Sequence, residues 1–389
     1  MGTDFGKKAL EQHKNLKGKI GIKLKDTLDT HDKLSTYYTP GVAAVSSFVA
    51  QNPTEARDYT WLNNSVAVVS DGSAVLGLGN IGPQGALPVM EGKSMLFKHF
   101  ADIDAVPIVL DVHSADEIVS AVEAIAPSFG GINLEDIAAP LCFEIEERLK
   151  SKLKIPVFHD DQHGTAIVVL AALLNACKVT GRELRYCHIV LIGAGAAGVA
   201  ISKLLRTYVD KLAVDGKGTG PAIYPFDTKG IIHRDRTDLN DSKRRLLEFT
   251  NLSNSKDSLE EITRNADVII GVSSPGTITP DLIKNMAKDP IIFAMANPTP
   301  EIMPEEAKAA GVAIMATGRS DFPNQVNNAL AFPGIFRGAL DNKVTKITDE
   351  HKIAAAKVIA SLVDNPTAEH IIPSPLDERL VPEIAKVIV

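Results

Sequence analysis

His188-Ile189-Val190-Leu191-Ile192-Gly193-Ala194-Gly195-Ala196-Ala197-Gly198 reads as a strand, a glycine turn and the start of a helix. Gly-x-Gly-x-x-Gly alone is a weak signal. Here an apolar run precedes it and an alanine-rich stretch follows, the context that a dinucleotide-binding loop requires. Gly193 permits the tight turn, Gly195 lets backbone approach a pyrophosphate, and Gly198 lets the helix pack closely. A helix opening at Ala196 and Ala197 points N–H groups and its dipole at phosphate. The competing reading is a tight turn in an ordinary α/β core.

The stretches that follow alternate in the same way. Residues 223–226, 268–272, 291–296 and 312–316 are strand candidates, and their alternation with helical stretches predicts a parallel βαβ sheet buried on both faces. Asp227 closes the 223–226 strand, where a carboxylate can accept from both adenine-ribose hydroxyls. It would repel a 2′-phosphate, so NAD is favoured over NADP. The preference is modest, because Lys229 and Arg234 lie near enough in sequence to compensate a phosphate. The loop-to-acid separation exceeds the usual ~20 residues because a glycine-rich excursion at 209–222 intervenes. Gly271 to Gly276, with Ser273 inside it, either passes beneath the cofactor or is a structural turn.

Towards the amino terminus, 66–72, 108–112 and 155–158 are strand candidates, and 129–134 reads as strand or turn. A helix is expected over 90–100, with Lys93 near its start, because 78–85 holds three glycines and Pro83. Ser114 is the expected N-cap of a helix over 115–126, with Glu117 completing a capping box. Another helix is expected over 142–153. At Thr165 the pattern changes to a strongly apolar helix ending at Gly181. Residues 1 to 30 make a poor core but a possible dimer arm. A chain of 389 residues fits two substantial domains. The expected division is an N-terminal α/β domain at 1–164 and a Rossmann-type domain at 165–345. A helical segment at 346–389, broken by Pro366, Pro373 and Pro375, would pack back on the body.

Net charge is −7 with no basic tail, which gives nucleic acid no electrostatic footprint. Cys142, Cys177 and Cys187 form neither a disulfide framework nor a metal spacing, and are expected to be core residues in a reducing interior. The polar start is unlike a signal peptide, and the longest apolar run, 166–174, is too short to cross a bilayer. These features predict a cytoplasmic protein with no membrane partner.

Acidic residues mark the chemistry. Phe158-His159-Asp160-Asp161-Gln162-His163-Gly164-Thr165-Ala166 places adjacent carboxylates between a strand and a helix candidate, and Glu135-Asp136 follows Gly130-Gly131-Ile132-Asn133. Glu135, Asp136 and Asp161 are hard oxygen donors suited to Mg²⁺ or Mn²⁺, if the fold assembles them. Capping is the other reading: Asp136 could start a helix, and Asp160 could cap the one near Thr165. A zinc site at His159 and His163 is disfavoured, since Gly164 argues for a later helix start and no His-Glu-x-x-His signature is present.

Taken in order, several segments resemble the malic enzymes of the compact prokaryotic type. They are Tyr38-Thr39-Pro40-Gly41-Val42-Ala43, Ser70-Asp71-Gly72, Leu76-Gly77-Leu78-Gly79-Asn80-Ile81-Gly82, Met90-Glu91-Gly92-Lys93 and Asn133-Leu134-Glu135-Asp136. The series continues through Phe158 to Thr165, the glycine loop, Ala296-Asn297-Pro298-Thr299-Pro300-Glu301 and Asn324-Gln325-Val326-Asn327-Asn328. The resemblance implies a divalent-metal-dependent conversion of L-malate and NAD(P)⁺ to pyruvate, CO₂ and NAD(P)H, carried out by a homodimer. It places Lys93 and Tyr38 on the catalytic lysine and tyrosine, Asp160 on the acid that tunes the lysine, and Glu135, Asp136 and Asp161 on the metal ligands. Thr165 and Ser273 fall on the cofactor side, Asn297 on both cofactor and substrate, and Asn328 on the substrate. The resemblance departs at Ala74, where larger relatives carry an arginine for a substrate carboxylate. The Thr39-Pro40-Gly41 amides are the expected substitute. A malolactic enzyme, an NAD-binding protein without catalysis and a generic amino-acid dehydrogenase are the competing functions.

Overall fold

The computed structural model describes residues 5–75, 77–212 and 220–389. Two sheets organise them. The first contains β1 (Ser65–Ser70), β2 (Asp104–Val109), β3 (Gly131–Leu134) and β4 (Val157–His159), in the order β2-β1-β3-β4 and all parallel. Its register aligns Val69 with Leu134, and Leu134 with His159. The residues that follow β3 and β4 therefore emerge side by side.

The second sheet contains β5 (His188–Ile192), β6 (Ala222–Asp227), β7 (Gly230–Ile231), β8 (Val268–Gly271), β9 (Ile291–Ala294) and β10 (Ile314–Thr317), in the order β10-β9-β8-β5-β6-β7. Five strands are parallel as expected; the short β7 runs antiparallel at the edge beyond β6. Strand order reverses at β5, which has β6 on one side and β8 on the other. In open α/β sheets a dinucleotide crevice lies at such a switch point, outside the carboxyl ends of the strands. The glycine-rich excursion expected at 209–222 falls largely on 213–219, outside the described residues, as does Leu76.

Two helices begin earlier than the breakers suggest. The Lys93 helix spans Gly82–Ala101, so Lys93 lies in its interior and not near its start. Pro83 occupies the first turn, where a missing N–H removes no helical bond. The apolar helix spans Asp160–Thr180 and begins at Asp160 rather than Thr165. Gly164 does not delimit it: a Cβ there would stand 1.9 Å from Asp160 Oδ1, so glycine makes room for that carboxylate. Asp160 is consequently a first-turn residue and not the cap. Gly181 ends this helix at φ 66°, as its position predicts. The Ser114–Glu117 capping box also forms.

The helix Asp160–Thr180 is long and apolar enough to cross a membrane by length and composition. It is instead the core helix of this chain, buried against the helices Ala196–Leu212 and Asp349–Ser361. Burial on nearly every side accounts for its apolar composition. Its buried Asn175 donates to the carbonyls of Ala360 and Ile371, both at 2.9 Å, pinning the carboxyl-terminal segment. Phe97 meets Phe332 and Phe336 edge-on at 4.6 and 5.3 Å, joining the Lys93 helix to the helix Phe332–Asp341. All three cysteines are buried and free. The helices Phe5–Leu16, His31–Tyr37 and Val42–Gln51, by contrast, bury no residue.

Candidate active site

The β3–β4 register assembles the acids. Glu135 and Asp136 leave β3 beside Asp160 and Asp161, which leave β4 and open the core helix. The Asp136 N–H donates to Asp161 Oδ2 at 2.8 Å, and the Glu135 N–H donates to the Val69 carbonyl at 2.9 Å. Asp136 adopts φ 53° and starts no helix, so the capping reading of that residue fails. One carboxylate oxygen each from Glu135, Asp136 and Asp161 lies within 4.8 Å of the others. Three convergent carboxylates suit a hard divalent cation. Asp161 keeps 32 % of its side chain open to solvent, on an otherwise buried cluster.

Lys93 reaches the same cluster from the neighbouring helix. Its Nζ lies 2.5 Å from Asp160 Oδ2, 2.8 Å from Glu135 Oε1 and 4.2 Å from the centre of the Phe332 ring. Burial alone would lower the Lys93 pKa, but Asp160, Glu135 and Asp161 outweigh it and hold the group above its ordinary value. Burial pushes Asp160 up to about 6 against the pull of Lys93. Burial likewise raises Glu135 and Asp161. Carboxylates raised in this way are stabilised by added positive charge, which is the condition a metal would meet.

His159 and His163 do not form a zinc pair. His159 is fully buried as the residue preceding the helix, and His163 Nε2 lies 2.8 Å from Glu146 Oε2.

On the nucleotide side, Ile192 aligns with Phe226 and Gly271, which brings Gly193, Asp227 and the Ser273 turn together. They line a cleft of about 900 Å³. Gly193 has φ 115°, and a Cβ there would meet the Val272 carbonyl oxygen at 2.4 Å. A Cβ on Gly198 would stand 2.0 Å from the Gly193 carbonyl oxygen, so close helix packing is the reason for that glycine. Gly195 is exposed, with nothing near its missing Cβ. Ala196 packs on the amino-terminal core and Ala197 on the central one. Asp227 is not the free acid that the sequence suggests. Arg236 grips it through two bonds of 2.8 and 3.0 Å, and Lys243 adds a third at 2.6 Å. Burial would raise its pKa, but these cations hold it below the ordinary carboxylate value. The cations that neutralise Asp227 are therefore Arg236 and Lys243. Arg234 is turned to the Leu247 and Leu252 carbonyls, and Lys229 Nζ to Asp238.

The profiles described as "Malic enzyme, N-terminal domain" and "Malic enzyme, NAD binding domain" match residues 17–150 and 162–387. This chain belongs to the malic enzyme family. A bifunctional malic/malolactic enzyme from Bacillus subtilis is 52 % identical over 383 residues, covering 98 % of this chain and 91 % of that one. An NAD-dependent malic enzyme from Geobacillus stearothermophilus is 53 % identical over 374 residues, covering 96 % of this chain and 76 % of the relative. The crystal structure of an NAD-dependent malic enzyme from Thermotoga maritima superposes with a TM-score of 0.91 at 48 % identity, covering 98 % of each chain.

Other residues expected in this malic enzyme site are placed unevenly. Asn328 is half-buried beside Gly164, and Thr165 is half-buried on the core helix. Asn297 and Ser273 are exposed on the loops after β9 and β8. Ala74 donates its N–H to the Asp136 carbonyl, which ties the arginine-less segment to the acidic loop. The Gly41 N–H is used by the Ser35 carbonyl and Pro40 has none, so the amide substitute expected there is largely spent. Tyr38 is 67 % exposed, whereas Lys93 is buried. Glu301 has a role that its sequence context does not announce. It is fully buried and accepts from the N–H groups of Ser273 and Ala296 at 2.8 and 2.9 Å, binding the β8 and β9 loops together. A lone acid after a proline carries no signal of this in sequence.

Proposed function

We propose that this chain catalyses the oxidative decarboxylation of L-malate to pyruvate and CO₂ with reduction of NAD(P)⁺. The observation that carries the reading is the convergence of Glu135, Asp136 and Asp161 beside Lys93. Membership in the malic enzyme family supports it. The reading includes Mg²⁺ or Mn²⁺ held by those three acids, a homodimer, and a cytoplasmic location in keeping with three free thiols.

A divalent cation at these carboxylates would polarise the malate C2 hydroxyl and, by offsetting their charge, lower the Lys93 pKa. Lys93, held by Asp160, would take the C2 hydroxyl proton, and a bound dinucleotide would supply the acceptor for the C2 hydride. The C4 carboxylate of the resulting β-keto acid then leaves as CO₂. Tyr38 protonates C3 of the enolate that remains, its phenolic hydroxyl serving as the acid. Asn328 and Asn297 contact the substrate and the nicotinamide side. Thr165, Gly193, Gly195, Ala196, Ala197 and Gly198 border the dinucleotide, with Ser273 beneath it. Oxaloacetate is a second substrate for the decarboxylation half of this route. Asp227 favours NAD, and its pairing with Arg236 and Lys243 keeps that preference modest.

The test is NADH and NADPH formation from L-malate with and without Mn²⁺, with identification of pyruvate. Full turnover after exhaustive chelation would refute the metal role. The relative named as a bifunctional malic/malolactic enzyme supports a second reading, in which malate yields lactate. Lactate formed without net NADH release would establish it.

A further inference from the structure

Glu146 is a buried charge that the reaction proposed above does not use. It lies on the helix Leu141–Lys152 and is 6 % exposed. Burying a carboxylate is unfavourable unless strong donors surround it. Its Oε1 accepts from the His159 N–H at 2.9 Å and from Lys150 Nζ at 2.7 Å, and its Oε2 lies 2.8 Å from His163 Nε2. Lys150 stands one turn along the same helix, so local geometry alone brings it to the carboxylate. His159 and His163 come from a different element. They are four residues apart, and Asp160 and Asp161 lie between them.

That turn starts the core helix, and it has no cap of its own. His159 occupies the N-cap position without a side-chain bond to the first turn. An N-cap side chain normally ties the entering chain to its helix. Here the tie comes across from another helix, since Glu146 reaches the N–H of the N-cap residue and the ring one turn later. An anion at this end also suits the helix dipole. The strand that leads into the turn restrains it little: β4 is three residues long and forms the edge of its sheet beside β3. Glu146 takes an N–H that an edge strand would otherwise leave without a protein partner. From the opposite side of the turn, Asp160 meets Lys93 at 2.5 Å and Asp161 takes the Asp136 N–H at 2.8 Å. At 3.6 residues per turn, Asp161 projects about 160° around the helix from His163. Glu146 therefore grips the turn from behind, and the acids work from its front.

We propose that Glu146 is a positioning residue for the acidic cluster: by holding residues 159 and 163 it fixes the turn that aims Asp160 at Lys93 and Asp161 at the divalent cation. It acts only through that turn. This rests on the function proposed above, in which Asp161 is a metal ligand and Asp160 holds the base.

Mn²⁺ titration of the protein without substrate tests it, alongside malate kinetics. Glu146→Ala removes the acceptor and should weaken Mn²⁺ binding by about 10–100-fold and lower kcat, because groups that orient metal ligands act on affinity at that scale. The Kd for NAD should stay within about twofold of wild type. Glu146→Gln keeps an oxygen for the His159 N–H and should restore Mn²⁺ affinity to within about threefold of wild type. If Glu146→Ala does not fold, Glu146→Asp replaces it: one methylene shorter, the carboxylate cannot span both residues, and the same loss of Mn²⁺ affinity is expected. A residue that serves only the fold would lower the unfolding midpoint without changing the Mn²⁺ affinity of the folded protein. Mn²⁺ binding within about twofold of wild type in Glu146→Ala or Glu146→Asp would therefore overturn the proposal. Glu146→Gln as impaired as Glu146→Ala would overturn it too, since charge and not placement would then be at work. Wild-type protein that binds Mn²⁺ without turning over malate would remove the functional reading, and the Mn²⁺ comparison would still decide the role of Glu146.

Discussion

Adding one methyl group at Gly164 tests how the core helix holds Asp160 against Lys93. The new Cβ would stand 1.9 Å from Asp160 Oδ1. Carbon–oxygen contacts stay above roughly 3 Å, so the carboxylate must retreat by more than about 1 Å. That is enough to break its 2.5 Å bond to Lys93. Alanine is the better helix former by about 1 kcal/mol, which opposes the damage. Losing one side of a buried ion pair costs about 3–5 kcal/mol, and Glu135 at 2.8 Å still partners the lysine. The net expectation for Gly164→Ala is a loss of about 2 kcal/mol in stability, together with a fall of about 100-fold in kcat from misplacing the base. Guanidinium unfolding and initial rates of malate-dependent NADH formation measure the two effects. Gly181→Ala is the control: its φ is 66° with nothing near the missing Cβ, so strain of about 1 kcal/mol should leave kcat unchanged. Gly164→Ala with stability within about 0.5 kcal/mol of wild type and unaltered kcat would refute the steric argument.

Asp161→Asn should weaken Mn²⁺ binding by at least about tenfold, and an unchanged calorimetric titration would remove Asp161 from the metal. Asp227→Ala frees Arg236 and Lys243 to meet a 2′-phosphate and should shift the NADP-to-NAD ratio of kcat/KM upward by about tenfold; a constant ratio would place the ribose elsewhere. Burial pushes His163 down to about 3 despite Glu146, so the unfolded chain binds the extra proton between there and about 6.5. Stability should therefore fall as pH drops through that window, by up to about 1.4 kcal/mol per pH unit, and His163→Gln should flatten the slope. An equal slope in both proteins would show that another group governs acid unfolding.

The nucleotide half was legible because its signals are local. An apolar strand, a glycine turn and an alanine-rich helix lie within 188–208, and β5 and the helix after it form there. The metal acids were legible as candidates, but their meeting depends on the pairing of β3 with β4, which residue spacing does not state. Helix starts are hidden in sequence where a breaker serves packing. Gly164 resembles a stop in sequence, yet its missing side chain is the space that Asp160 occupies. Arg236 and Lys243 escaped notice because their role is set by the turn after β6, which folds them back onto Asp227. Tyr38 is marked by family resemblance alone, because an exposed tyrosine before a proline has no local signal of chemistry.

Glu301 has a consequence for how the cleft moves. One carboxylate fastens the loop after β8 to the loop after β9, and its own carbonyl takes the Gly276 N–H. The two loops cannot breathe separately without stripping an anion of its donors in a dry interior. Opening to admit or release a dinucleotide must swing both walls as one leaf, with the hinge outside the pair.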